Sequence, residues 1–148
     1  MEIKKLSHDE IPELINLYAA IMPNEVEHKL EILSSLYQKI ENNEDYIILV
    51  AKEDSQVVGT AMGVCCKTLA FGGKNFMVIE DVSVIEEFQR KGIGKKLFEA
   101  LDEFALRRDC AYAILVSSGF RGEAHTFYEK MGYTEDVKGF RKMYTKFD

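Results

Sequence analysis

No stretch of this 148-residue chain reaches the roughly 18 consecutive apolar residues that a membrane-spanning helix needs. No basic region followed by an apolar run opens it either, so the N-terminus does not read as a targeting segment. A basic excess is missing as well. Its 19 Lys and Arg stand against 25 Asp and Glu, a net charge of −6, and a sequence-independent hold on nucleic acid needs clustered cations to displace counterions. Cysteine is scarce. The three present, with Cys65 and Cys66 adjacent, fit neither a disulfide framework nor a CxxC metal spacing, and suit a reducing compartment. Repeats, low-complexity tracts and linkers are absent. With 47% hydrophobic residues the chain can bury one sizeable core. These absences lead us to expect a single domain over residues 1–148, cytoplasmic, with no metal, membrane or nucleic-acid partner.

What is present alternates between helix and strand patterns. Met1 to Leu6 reads as a short strand, and Ser7 with Glu10 three residues on forms a capping box that opens a helix, whose apolar positions are Ile11, Leu14, Ile15, Tyr18, Ile21 and Met22. Met22-Pro23-Asn24 ends it. A second helix is expected from an Asn24 cap, with Val26, Leu30, Leu33, Tyr37 and Ile40 on one stripe that Ile32 and Leu36 widen. Asp45 to Lys52 and Val57 to Leu69 read as an antiparallel hairpin of two strands. Gly59 and Gly63 inside the second mark a bulge, a close backbone approach or room for a crossing helix, and Cys65 and Cys66 read as packing residues. A third long strand, Phe76 to Ile85, carries Glu80 and Asp81 side by side. Strict alternation puts them on opposite faces, with one functional and Asp81 read as a salt-bridged or solvent-facing residue.

A glycine-bearing turn, Gln89-Arg90-Lys91-Gly92-Ile93-Gly94, leads from that strand into a helix from Lys95 to Arg108 with an apolar face of Leu97, Phe98, Leu101, Phe104 and Ala105. Asp109 breaks the helix. A strand from Ala111 to Ser117 completes a βαβ unit with a parallel pair. A helix from Gly122 to Met131, stopped by Gly132, and two strands, Tyr133 to Val137 and Arg141 to Phe147, finish the chain. A Gly-x-Gly turn at a helix N-terminus offers backbone N–H groups and a positive dipole end to phosphate. A dinucleotide fold would need a third glycine at Leu97 and an acid where Ser117-Ser118 stand, and the triphosphate loop would need a Gly-Lys-Ser/Thr ending.

Gln89-x-x-Gly92-x-Gly94 after Val82-Ser83-Val84, followed by Phe127-Tyr128-Glu129-Lys130-Met131-Gly132-Tyr133, resembles the GNAT superfamily of N-acetyltransferases across nearly the whole chain. The resemblance implies an α/β fold of the α+β type: a mixed, splayed, mostly antiparallel sheet of about seven strands with helices on both faces. It implies acetyl-CoA as cosubstrate, with the pyrophosphate on the backbone of Gln89, Arg90, Lys91, Gly92, Ile93 and Gly94. Pantetheine then lies along Val82, Ser83 and Val84, where their strand parts from the one ending at Ser117. Arg90, Lys91 and Lys95 would add charge near the phosphates. His125 and Arg121 are further candidates for CoA contact, Arg121 replacing an Asn that many relatives place in this region. The resemblance also admits a homodimer through the C-terminal strands.

Acetyl transfer to an amine needs a neutral nucleophile, a polarised carbonyl and a protonated leaving thiolate. A primary ammonium titrates near about 10.4, as lysine does, so a base must act at neutral pH. By the resemblance Glu80 is that base, directly or through water, and Tyr128 is the acid that protonates the CoA sulfur. A backbone N–H near Val82 is the candidate oxyanion donor. Three functions follow as alternatives: a small-molecule amine acetyltransferase, a protein acetyltransferase acting on lysine or an N-terminus, and a non-catalytic acyl-CoA-binding module. An acidic rim of Glu25, Glu27 and Glu123 suits any cationic acceptor.

Overall fold

The computed structural model describes residues 1–21, 26–116 and 122–145, without the side chains of Gly122 and Glu123. Five strands form one sheet in the order β1-β2-β3-β4-β5. They are β1 (Glu2–Lys5), β2 (Tyr46–Glu53), β3 (Gln56–Cys66), β4 (Asn75–Val84) and β5 (Cys110–Ile114). The first three pairings are antiparallel and β4 with β5 is parallel. Four helices accompany them: α1 (Ile11–Ile21), α2 (Leu30–Ile40), α3 (Ile93–Arg107) and α4 (Gly122–Lys130).

Alternation along β2 builds both cores. Ile48 and Val50 turn to one face with Leu14 and Leu17 of α1 and Tyr37 of α2, while Ile47, Leu49 and Ala51 turn to the other with Leu97, Phe98 and Leu101 of α3. Helices therefore cover both faces of the sheet. The β2–β3 hairpin closes through Asp54 and Ser55, both left-handed at φ 47° and 67°, the backbone of a two-residue turn whose twist matches the strands. Gly59 and Gly63 make room for the crossing helix. A Cβ on Gly63 would stand 3.0 Å from Leu101 of α3, and one on Gly59 3.2 Å from Ile93.

The capping box forms: the Glu10 carboxylate accepts the Ser7 N–H at 3.0 Å. The residues after it begin as a 3-10 turn, His8–Glu10, before α1 proper. Glu10 is buried between Lys4 at 2.6 Å and Lys52 at 2.8 Å, which ties β1, β2 and the head of α1 together. Burial alone would raise its carboxyl, but hydrogen bonds from Lys4, Lys52 and Ser7 hold it down at about 2.

Several expectations are corrected. The sheet has five strands among the described residues, not about seven. Residues 133–145 form no strand, and Val137, Phe140, Met143 and Tyr144 stand exposed. The alternation read there lacks a buried face, and lysines instead cover the Phe140 and Tyr144 rings, with Lys138 and Lys142 at 5.3 and 5.5 Å. Helix α2 starts at Leu30, since Lys29 is still extended, and Asn24, like Met22 and Pro23, lies outside the described residues. Its apolar seam is narrow. Tyr37 is buried with its hydroxyl donating to the Leu6 carbonyl, whereas Leu30, Ile32 and Leu36 face solvent. Among the described residues no helix is long and apolar enough to cross a membrane, and no cluster of acids, histidines and cysteines could hold a metal.

Candidate active site

The site begins where the sheet comes apart. β4 and β5 pair from Asn75–Cys110 to Val78–Ile114, and then β5 ends while β4 continues to Val84. Along Ile79 to Val84 the β4 edge therefore has no strand beside it among the described residues. Val82, Ser83 and Val84 lie on this free edge, all half-buried, with β3 on their other side through Thr60–Ser83 and Gly59–Val84. The expected splay is present at the expected strands.

Beyond β4 the chain makes a short 3-10 turn, Glu86–Phe88, and enters the glycine-bearing loop. The Gln89 amide donates from Nε2 to the Val84 carbonyl at 3.0 Å and so straps the loop back to β4. Arg90 and Gly92 are left-handed, at φ 65° and 82°, with Lys91 between them, and Gly92 is the N-cap of α3. Alternating handedness of this kind turns successive N–H groups inward to make an anion-binding concavity. The loop opens onto the unsatisfied N–H groups of a helix 15 residues long. Among the described residues nothing stands within 4 Å of where a Gly92 Cβ would be, and its left-handed φ is what calls for glycine there.

Gly94 serves packing. The Phe127 ring of α4 sits 3.3 Å from where a Gly94 Cβ would be, which seats α4 on the head of α3. Phe98 completes the joint, with ring centroids 5.5, 5.7 and 5.7 Å from Phe127, Tyr128 and Tyr133. Gly132, left-handed at φ 97°, ends α4 with Tyr133 N–H on the Tyr128 carbonyl and Gly132 N–H on the Glu129 carbonyl, both 3.0 Å. This is a Schellman cap, and its apolar contact is Tyr133 against Tyr128. The Tyr133 hydroxyl is buried with no hydrogen-bond partner among the described residues. Burial, with lesser contributions from Asp102 and Tyr128, pushes it up to about 12.

Tyr128 and His125, both half-buried, line an open cavity of about 1010 Å³ with Leu115, Val116, Tyr133 and Val137. Neither Glu80 nor Gln89 to Gly94 lines it, and no hydrogen bond joins Glu80 to Tyr128 among the described residues. Of the candidate cations, Lys91 lies over the Phe88 ring at 5.1 Å, and Lys95 is paired with Glu99 at 3.9 Å on the surface. Ile93 is buried in the α3 core. Ser117, Arg121 and Glu25 lie outside the described residues, as does the Glu123 side chain; Glu27 is exposed.

Two features escaped the sequence reading. Phe127 stands in the sequence only as the first residue of the Phe127-to-Tyr133 segment, and its spacing from Gly94 carries no sequence signal. Asp81 was placed by strict alternation, which a bulge in β4 breaks: Thr60 opposes Ser83 and Met62 opposes Glu80, so Ala61 faces both Asp81 and Val82. Two acids in succession on an apolar strand were the available sign of irregularity.

A search of curated proteins finds no significant match. Solved structures match over almost the full length. Glucosamine-6-phosphate N-acetyltransferase from Arabidopsis thaliana is 24% identical with a TM-score of 0.88, covering 97% of this chain and 98% of its own. An aminoglycoside acetyltransferase from an uncultured soil metagenomic sample, in complex with sisomicin, is 24% identical with a TM-score of 0.80, covering 98% and 95%. AAC(6')-Iy in complex with the bisubstrate analog CoA-S-monomethyl-acetylneamine is 17% identical with a TM-score of 0.76, covering 96% and 97%. At these identities the likeness establishes the fold. A family model, "Acetyltransferase (GNAT) family", matches residues 11–133, from the first helix through the Schellman cap, and the chain belongs to that family.

Proposed function

We propose that the protein is an acetyl-CoA-dependent N-acetyltransferase that moves an acetyl group directly to a primary amine of a small molecule within a ternary complex. The observation that carries this reading is the joint between loop and helix: Phe127 on Gly94 couples the anion-binding turn to the helix bearing Tyr128. Gln89 to Gly94 bind the pyrophosphate through backbone N–H groups, with Arg90, Lys91 and Lys95 adding charge. Val82, Ser83 and Val84 offer the free β4 edge to pantetheine, and His125, Ser117 and Arg121 complete the CoA contacts. Glu80, exposed on β4 just past the last β4–β5 pair, takes the proton from the acceptor ammonium. The amine nitrogen then bonds to the thioester carbonyl carbon, the C–S bond breaks, Tyr128 gives its proton to the departing thiolate, and the second proton leaving the nitrogen returns through water to the Tyr128 oxygen, so that a neutral amide and a thiol are released. One neighbour is named for glucosamine 6-phosphate and another is in complex with sisomicin, both small amines.

Release of free thiol from acetyl-CoA is the test, with spermidine, sisomicin, glucosamine 6-phosphate and a short lysine peptide as acceptors. Acceleration by at least one small amine is expected. Acceleration by the peptide alone would favour a protein acetyltransferase, and acetyl-CoA binding with no acceleration would make the chain a binding module. Tyr128→Phe should lower kcat about 100-fold or more, as loss of a general acid does, while the Kd for acetyl-CoA stays within about twofold. Unchanged turnover would remove Tyr128 from the acid role.

A further inference from the structure

The chain has three cysteines in 148 residues, and two of them touch. The Cys65 and Cys110 sulfurs lie 3.4 Å apart, although 45 positions separate them in the sequence. Cys65 is buried on β3 in the α3-side core, and Cys110, the first residue of β5, is half-buried against the same core. Both backbones are pinned. The Cys65 N–H donates to the Asp45 carbonyl at 2.7 Å, and Asn75, the β4 partner of Cys110, donates its side-chain amide to the Arg108 carbonyl at 2.6 Å. Cys66 follows Cys65 along the strand, so alternation turns it to the opposite face.

This contact cannot become a disulfide where it stands. β4 runs between β3 and β5, which sets the two backbones two strand spacings apart, about 9–10 Å, and a disulfide spans at most about 6.8 Å between Cα atoms. One atom inserted between the sulfurs removes that obstacle, and the 3.4 Å gap selects its geometry. With bonds of about 2.3 Å, the length of a zinc–thiolate bond, a linear centre holds two sulfurs about 4.6 Å apart and a tetrahedral one about 3.8 Å. A pyramidal three-coordinate centre, with the same bonds at about 95°, holds them about 3.4 Å apart. Trivalent arsenic is such a centre.

We propose that Cys65 and Cys110 form a chelating site for a monosubstituted trivalent arsenical, at the closed end of the β4–β5 pairing and apart from the acetyl-transfer site. The reaction is a condensation without change of oxidation state. R–As(OH)2 exchanges its two As–O bonds for two As–S bonds, and each hydroxide leaves with a thiol proton as water. Cys110, half-buried, reacts first. Burial and then the contact with Cys110 push the Cys65 thiol up to about 12, which makes it a poor nucleophile on its own. The second bond forms because the first holds arsenic against it. The bridge staples β3 to β5 at the level of Asn75–Cys110, whereas the sheet opens beyond Val78–Ile114.

The measurement is native mass spectrometry with phenylarsine oxide, titrated against 2-mercaptoethanol as a competing single thiol. The wild type should take up one phenylarsenic group per chain. Cys66→Ser leaves Cys65 and Cys110 as the only thiols and should bind it with an apparent Kd within threefold of the wild type. Cys110→Ser leaves only the neighbours Cys65 and Cys66 and should bind it about 100-fold more weakly, as when a two-point attachment becomes a one-point one. In concentrated urea the order of the two variants should reverse, because an unfolded chain joins neighbours more readily than distant residues. Circular dichroism melts establish that each variant is folded, and Cys66→Ala and Cys110→Ala stand in for a serine variant that is not. No adduct on the wild type, its loss in folded Cys66→Ser, its retention at wild-type affinity in folded Cys110→Ser, or an unchanged order in urea would each overturn the proposal.

Discussion

At the scale of single residues, the two glycines of the loop are not equivalent. Gly92 is left-handed and faces open space, so Gly92→Ala meets no neighbour but carries the left-handed cost of about 1–2 kcal/mol at the turn itself. Gly94→Ala keeps an ordinary backbone and instead presses on the Phe127 ring. Gly92→Ala should therefore weaken acetyl-CoA binding with kcat little changed. Gly94→Ala should shift α4, and with it Tyr128, so that kcat falls more than affinity. Steady-state kinetics with titration of acetyl-CoA distinguish the two, and equal effects on both quantities would contradict this division.

At the scale of elements, the N-terminal strand and helix are held by one buried acid. Glu10→Gln would remove the charge facing both Lys4 and Lys52 and should destabilise the fold by about 3 kcal/mol, as when one member of a buried ion pair is lost. The pH dependence follows in sign. The carboxyl is at about 2 when folded against 4.5 as its ordinary value, so its stabilisation is complete above that ordinary value and is lost as pH falls toward 2. Thermal melts from pH 7 to pH 3 should therefore fall more steeply for the wild type than for Glu10→Gln. Parallel curves would show that the lysines contribute nothing through this group.

At the scale of the whole molecule, sequence periodicity located most of the helices and the long strands, because each has one face to bury and the burial keeps the period. Ile48 and Val50 against Leu49 and Ala51 show this on β2. It failed where burial did not follow the pattern: the alternation of residues 141–145 has no core to face, and Ile32 and Leu36 lie outside the narrow seam of α2. The loop of Gln89 to Gly94 was legible because Gly92 answers to backbone geometry and Gly94 to a close approach, and only glycine meets either demand. Asp81 was not, because a bulge is a relation between two strands and leaves no period in either one. The seat of Phe127 on Gly94 joins residues more than thirty positions apart and has no local trace.

The parting of β4 from β5 has a consequence for the folded chain as an equilibrium species. A sheet that stops halfway leaves backbone groups waiting for a partner, and the acetyl-CoA used by the family is a ligand for the native state alone. Occupancy then enters the folding equilibrium by mass action: at a concentration 100 times its Kd such a ligand adds about 2.7 kcal/mol to native stability. Under the acetyl-CoA-dependent function proposed above, the folded fraction of this protein would rise with the acetyl-CoA level of its surroundings, and scarcity of the cosubstrate would cost stability as well as turnover.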